Sequence, residues 1–240
     1  MRFVEVKNVE QQDIQAVHRV CSELVAQRTA KANQIRGLVA EYGLVVPAGL
    51  PRLKSALPGW LEDAENGLSE RFRRLLLGLW SDLMGLHQRV SVLDEEIASI
   101  AKSDPVAQRL QQLRGVGPVT ATALVAAVGS GAQFRRGRDL AVWLGLTPRQ
   151  HSTGGKARLL GISKRGDPYL RRLLVHGARA VIQYAKDRDD PLSQWVMRLV
   201  ARRHINVATV ALANKTARIA WAMIRTGEDY QHERAAGLAV

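Results

Sequence analysis

Phe72, Leu76, Leu79, Leu83, Leu86, Val90, Leu93, Ile97 and Ile100 divide the stretch 72–100 into alternating steps of four and three residues. Such steps hold one apolar stripe on one side of a helix for about four heptads, the mark of a coiled coil or a long antiparallel helical hairpin, or equally of the buried face of an ordinary bundle. A second helical pattern precedes it. From Glu10 to about Tyr42, Ile14, Val17, Cys21, Leu24, Ile35 and Leu38 recur at helical spacing. Gly43 should stop that helix, and two breaks, Val46-Pro47-Ala48-Gly49-Leu50-Pro51 and Leu57-Pro58-Gly59, should separate it from the heptad run. Met1–Val9 alternates and reads as a short strand or an entry segment. Ser103-Asp104-Pro105 closes the run, because proline cannot continue the hydrogen-bonded ladder. Residues 1–104 are therefore expected to form a helical hairpin or coiled-coil linker, a spacer or a place for a second copy to pair.

The 240 residues are long enough for a real core, and a 46% hydrophobic share argues against general disorder. The formal net charge is +13, and it is not spread evenly. Residues 109–172 hold 12 Lys+Arg against two Asp+Glu, whereas residues 1–108 hold 13 against 14. A concentrated positive zone and a pI near 10.7 point to a polyanion, with nucleic acid first in line. The lone Cys21 excludes an internal disulfide and suits a reducing compartment. There is no apolar run of membrane-spanning length and no signal-peptide core, so the expected location is the cytoplasm.

The basic zone contains two glycine-rich runs. Leu113-Arg114-Gly115-Val116-Gly117-Pro118, followed by Val119-Thr120-Ala121-Thr122-Ala123-Leu124, reads as helix, tight turn, helix. Amides freed at the start of the second helix would bind phosphate without reading bases, as in the helix-hairpin-helix motif. The alternative is a plain helical corner whose glycines permit close packing.

The second run, Pro148-Arg149-Gln150-His151-Ser152-Thr153-Gly154-Gly155-Lys156, lacks the order of a Walker P-loop. It reads as a Ser-containing loop in which a hydroxyl could attack phosphorus, with Lys156, Arg158, Lys164 and Arg165 as charge stabilisers. On spacing alone, a loop that merely contacts phosphate is the competing reading. Asp167 and Pro168 look like the cap and first residue of a helix through Arg179, with Leu170, Leu173, Leu174 and Ala178 as its buried face. His176 reads as a packed or capping residue rather than a metal ligand, since no partner has ligand spacing.

Together these runs, with Trp143-Leu144-Gly145-Leu146-Thr147-Pro148 and Gly161-Ile162-Ser163-Lys164-Arg165-Gly166-Asp167, closely resemble the C-terminal half of the bacterial insertion-sequence transposases related to the Piv/MooV DNA invertases. Arg2-Phe3-Val4-Glu5-Val6-Lys7 and the segment 28–38 resemble that family's linker. The resemblance implies DNA transposition by strand exchange. Ser152 would be the nucleophile of a transient phosphoserine link, with Thr153 as second choice because many relatives read Ser-Ser-Gly. It implies DNA and a structured bridge RNA as partners; the heptad seam itself points to a homo-oligomer through the coiled coil. It also implies Mg²⁺ held by an acidic tetrad on an N-terminal RuvC-like domain. No residues here match that tetrad, so no cofactor is expected in this chain, which is expected to be inactive alone.

The expected architecture is mainly α. Residues 1–104 form the hairpin, and residues 105–240 form a compact helical domain carrying the helix-hairpin-helix, with Gly115, Val116, Gly117, Lys156, Arg158, Lys164 and Arg165 on DNA. The competing class is a non-enzymatic helix-hairpin-helix nucleic-acid binder or regulator.

Overall fold

Nine α-helices and one two-stranded antiparallel ribbon build residues 6–231, the part of the chain that the computed structural model describes. Most of the entry segment lies outside the described residues; its last part, residues 6–8, has no regular structure before helix α1 (Val9–Ala40) begins. The chain divides into two compact units, residues 16–96 and a second formed from Ile97 onward with the first turns of α1.

In the first unit α1 runs antiparallel to α3 (Glu70–Ser103). Three side-chain pairs fix the direction, because one number rises as the other falls. Cys21 meets Asp94 at 3.7 Å, Arg28 meets His87 at 3.4 Å, and Lys31 meets Asp82 at 3.1 Å. The heptad seam folds inward within one chain: Leu76, Leu83 and Val90 are buried, and Leu79 and Leu86 half-buried. On α1 the buried position is Val39 rather than the expected Leu38.

One expected break is absent. Helix α2 (Leu50–Glu62) runs straight through Pro58. Leu53 and Leu57, both fully buried against Ile35 and Leu76, pin the helix on the N-terminal side of that proline. Burial here outweighs the lost amide bond. The actual stop lies further on, at Asp63 to Gly67. There the Arg73 guanidinium donates to the carbonyls of Trp60 and Leu61 at 3.0 Å and of Leu68 at 3.2 Å, satisfying acceptors that a helix end leaves open.

His18 is buried on α1, and burial pushes its imidazole from 6.5 down to about 4. The unfolded chain therefore holds more protons between those values, so stability is present above about pH 6.5 and is lost as pH falls through about 4. The loss should approach ~3 kcal/mol. Thermal unfolding of wild type and His18→Leu across that window should show the decline in the first and its removal in the second.

The second unit wraps around α9 (Ile205–Thr226), which packs against α4 (Pro105–Leu110), α6 (Gly137–Trp143), α7 (Pro168–Gln183) and α8 (Pro191–Val200). Small residues make this possible, since Ala208, Ala213, Ala217 and Ala220 are all buried. Helix α5 (Pro118–Val128) is buried almost all round, again through Ala and Thr. Three Asp-Pro pairs start helices: Asp104, Asp167 and Asp190 each accept two backbone amides while the following proline occupies the first turn. Leu170, Leu174 and Ala178 form the inner face of α7 as expected, whereas Leu173 is only half-buried and His176 is exposed. Two residues beyond Leu174 lies about 200° around the helix, on the solvent side. Among the described residues no helix is long and apolar enough to cross a membrane.

Candidate functional site

The stretch read as a Ser-containing loop is a β-hairpin. Strand β1 (Pro148–Thr153) pairs antiparallel with β2 (Lys156–Ile162). Gly154 and Gly155 both take positive φ, 57° and 75°, which a two-residue turn joining twisted strands requires. The signal is present in the sequence as two short runs separated by Gly-Gly, but the polar β1 and the lack of apolar alternation in β2 conceal it. Every residue of β1 is exposed, so the hairpin is a free-standing arm.

Register sorts its side chains. His151 stands opposite Arg158, Thr153 opposite Lys156, and Ser152 opposite Ala157. Successive strand residues face opposite sides, and directly paired residues share a side. The arm thus has one face with His151, Thr153, Lys156 and Arg158, and another with Gln150 and Ser152. Gln150 Nε2 donates to Ser152 Oγ at 2.7 Å, a contact that orients the hydroxyl but cannot remove its proton. His151 cannot act as base for Ser152 within this arm, since it points the other way. Lys156 and Arg158 lie beside Thr153 rather than Ser152.

A tight lock holds the root of the arm. Ser163 N donates to Thr147 O at 2.8 Å and Lys164 N to Gly145 O at 3.2 Å. Arg171 Nη1 donates to Leu144 O at 3.0 Å and Arg165 O at 3.3 Å. Gly145 and Gly166 have φ of 69° and 86°, and each lies against the backbone of the other's turn. Lys164, with φ 56°, is the one non-glycine residue in the left-handed region among those described. Lys164 and Arg165 are exposed at this root, close to the arm in sequence and in space.

The glycine turn between α4 and α5 divides into two roles. Gly115, at φ 82°, presses on α7: a Cβ there would lie 2.7 Å from Gly177 O, and one on Gly177 would lie 2.0 Å from Gly115 O. The Val116 side chain belongs to the core and has only its backbone to offer a ligand. Gly117 differs. It is exposed, its φ of −95° suits any residue, and a Cβ would meet nothing within 4 Å. Packing accounts for Gly115 but not for Gly117.

Gly117 also starts α5, which has no side-chain cap, so its first amides are open to an external acceptor. Arg114 anchors the turn, donating to Asp190 Oδ2 at 2.5 Å and Ser193 Oγ at 2.9 Å. Burial pushes the Asp190 carboxyl up, but Ser193's hydrogen bonds and Arg114 outweigh it and hold the group below its ordinary value.

The described residues contain no group of three or more His, Cys, Asp and Glu that could hold a metal ion. These residues do not fit a Mg²⁺ site. Sequence reading missed Gln150, the Gly145–Gly166 lock and Lys215, a buried lysine near the arm's root.

Comparison with known proteins adds a family. Residues 107–192 match the model described as "Transposase IS116/IS110/IS902 family". The transposase for insertion sequence element IS1111A of Coxiella burnetii is 46% identical over 231 residues, covering 96% of this chain and 64% of that protein. A probable family 20 transposase of Pseudomonas aeruginosa is also 46% identical, over 93% of this chain and 67% of its own length. The transposase for insertion sequence element IS1328 of Yersinia enterocolitica is 38% identical, over 95% and 67%. The chain therefore spans about two thirds of the length of these relatives.

Proposed function

The chain belongs to the IS116/IS110/IS902 transposase family, and we propose that it is the part of such a transposase that grips nucleic acid and joins DNA strands through a serine. The observation that carries this reading is the arm itself, a hydroxyl and a set of cations on an exposed ribbon with a locked root. Ser152 Oγ attacks a backbone phosphorus; the bond from phosphorus to a deoxyribose oxygen breaks; the serine proton passes to a base, and the departing oxygen takes up a proton. Attack on the phosphoserine by a hydroxyl of the second strand restores the serine and completes the exchange. Lys156 and Arg158 stand on the opposite face of the arm, so the exposed Lys164 and Arg165 at its root are the cations left to stabilise the charge that builds on phosphorus. In this reading a guide RNA, a second copy of the chain and an acidic Mg²⁺-binding domain act as partners.

The test is to combine this chain with a polypeptide supplying the acidic domain, element-end DNA and guide RNA. A protein–DNA adduct that survives denaturation should map to Ser152; an adduct on Thr153 moves the nucleophile by one residue. Binding without any adduct overturns the strand-joining reading and leaves the non-enzymatic binder.

Gly117→Ala should leave the fold and melting temperature unchanged, because its Cβ meets open space. It should weaken duplex binding about fivefold, the worth of a helix-terminus phosphate contact, as read by fluorescence anisotropy.

A further inference from the structure

At the root of the arm, between it and helices α8 and α9, lies a cavity of about 650 Å³. Its interior is apolar, with Leu146, Leu199 and Ala211 among the lining residues. Lys215 lines it too, although the residue is only 6% exposed. The Lys215 ammonium sits 5.0 Å from the centre of the Trp195 ring and has no carboxylate partner among the described residues. Arg218, from the next turn of α9, lines the same space. A buried ammonium beside a guanidinium and no acid is an unfavourable arrangement unless an anion completes it. Burial, then the Arg218 charge, pull the Lys215 amine below its ordinary value, in keeping with that imbalance.

An apolar recess joined to paired cations fits a ligand with a flat apolar body and a negative group. Resting on the nucleic-acid reading above, we infer that this cavity receives one unpaired nucleotide of the bound strand, its base in the recess and its phosphate on Lys215 and Arg218. Location supports this choice. Pro148 and Ile162, the two ends of the arm, form part of the wall. Ser152 lies four strand residues from Pro148, about 13 Å, which is about four base-pair steps along a duplex. A strand lying on the arm therefore passes the mouth of the cavity. Taking a base out of the stack is least costly where it is already unpaired.

The test compares two duplexes of equal length, one fully paired and one carrying a single bulged adenine, by equilibrium binding to the full chain. The bulged duplex should bind about tenfold tighter, the order of one stacked base. Lys215→Met should abolish that preference without weakening the paired duplex. Ala211→Phe, which fills the recess and keeps the lysine, should do the same, so a fold defect in either variant is separable by its paired-duplex affinity. Equal binding of both duplexes by the wild type overturns the inference and turns the cavity over to an acidic protein segment. A preference that survives both substitutions also overturns it. Failure to bind either duplex would instead sink the nucleic-acid reading itself.

Discussion

Gly166→Ala should lower the melting temperature by about 10 °C and release the arm from its root. The backbone at Gly166 has φ 86°, where an alanine costs about 1–2 kcal/mol on conformation alone. Its Cβ would also lie 1.7 Å from Trp143 O, a carbonyl at the end of α6 that cannot swing aside as a side chain would. The turn must therefore open, breaking the Lys164–Gly145 hydrogen bond and loosening the Arg171 bridge to Leu144 and Arg165. A total of about 3–5 kcal/mol follows. Calorimetry would measure the loss, and proteolysis should cut first within 148–162. A variant that melts with the wild type and resists cleavage would show that the lock carries no strain.

Ser152→Ala should reduce strand joining by about 10⁴-fold or more, the scale expected when a nucleophile is removed. The fold should not notice, since Ser152 is exposed and its hydrogen bond runs only to Gln150 on the same strand. Duplex affinity should stay within about twofold, because the hydroxyl adds no charge to the phosphate contacts. Thr153→Val is the control: it leaves Ser152 in place and should retain most of the activity. If Thr153→Val is the inactive variant, the nucleophile lies on the face shared with Lys156 and Arg158.

Much of this was legible in the sequence because single physical rules governed it. The heptad steps located the buried seam of α3, and Asp167-Pro168 located the start of α7. Pro58 misled because a local breaker was overruled by burial of Leu53 and Leu57, a tertiary effect that no window of sequence contains. The ribbon is concealed because β1 is polar and exposed throughout after Pro148 and the apolar residues of β2 do not alternate, so the period of two does not stand out. Gly115 showed its flexibility in the sequence, but its real requirement is Gly177, 62 positions away. Lys215 was unreadable for the same reason: only the fold brings it beside Trp195 and the arm's root.

The alternation along β1 carries a last consequence. Under the strand-joining proposal, cations on one side and Ser152 on the other would make the ribbon a partition between two polynucleotides, one held by charge and the other exposed to attack. Sliding the pairing by a single position would turn Ser152 onto the side of Lys156 and Arg158 and abolish that separation, which is reason enough for the Gly154-Gly155 bend and the bolted base to fix the register.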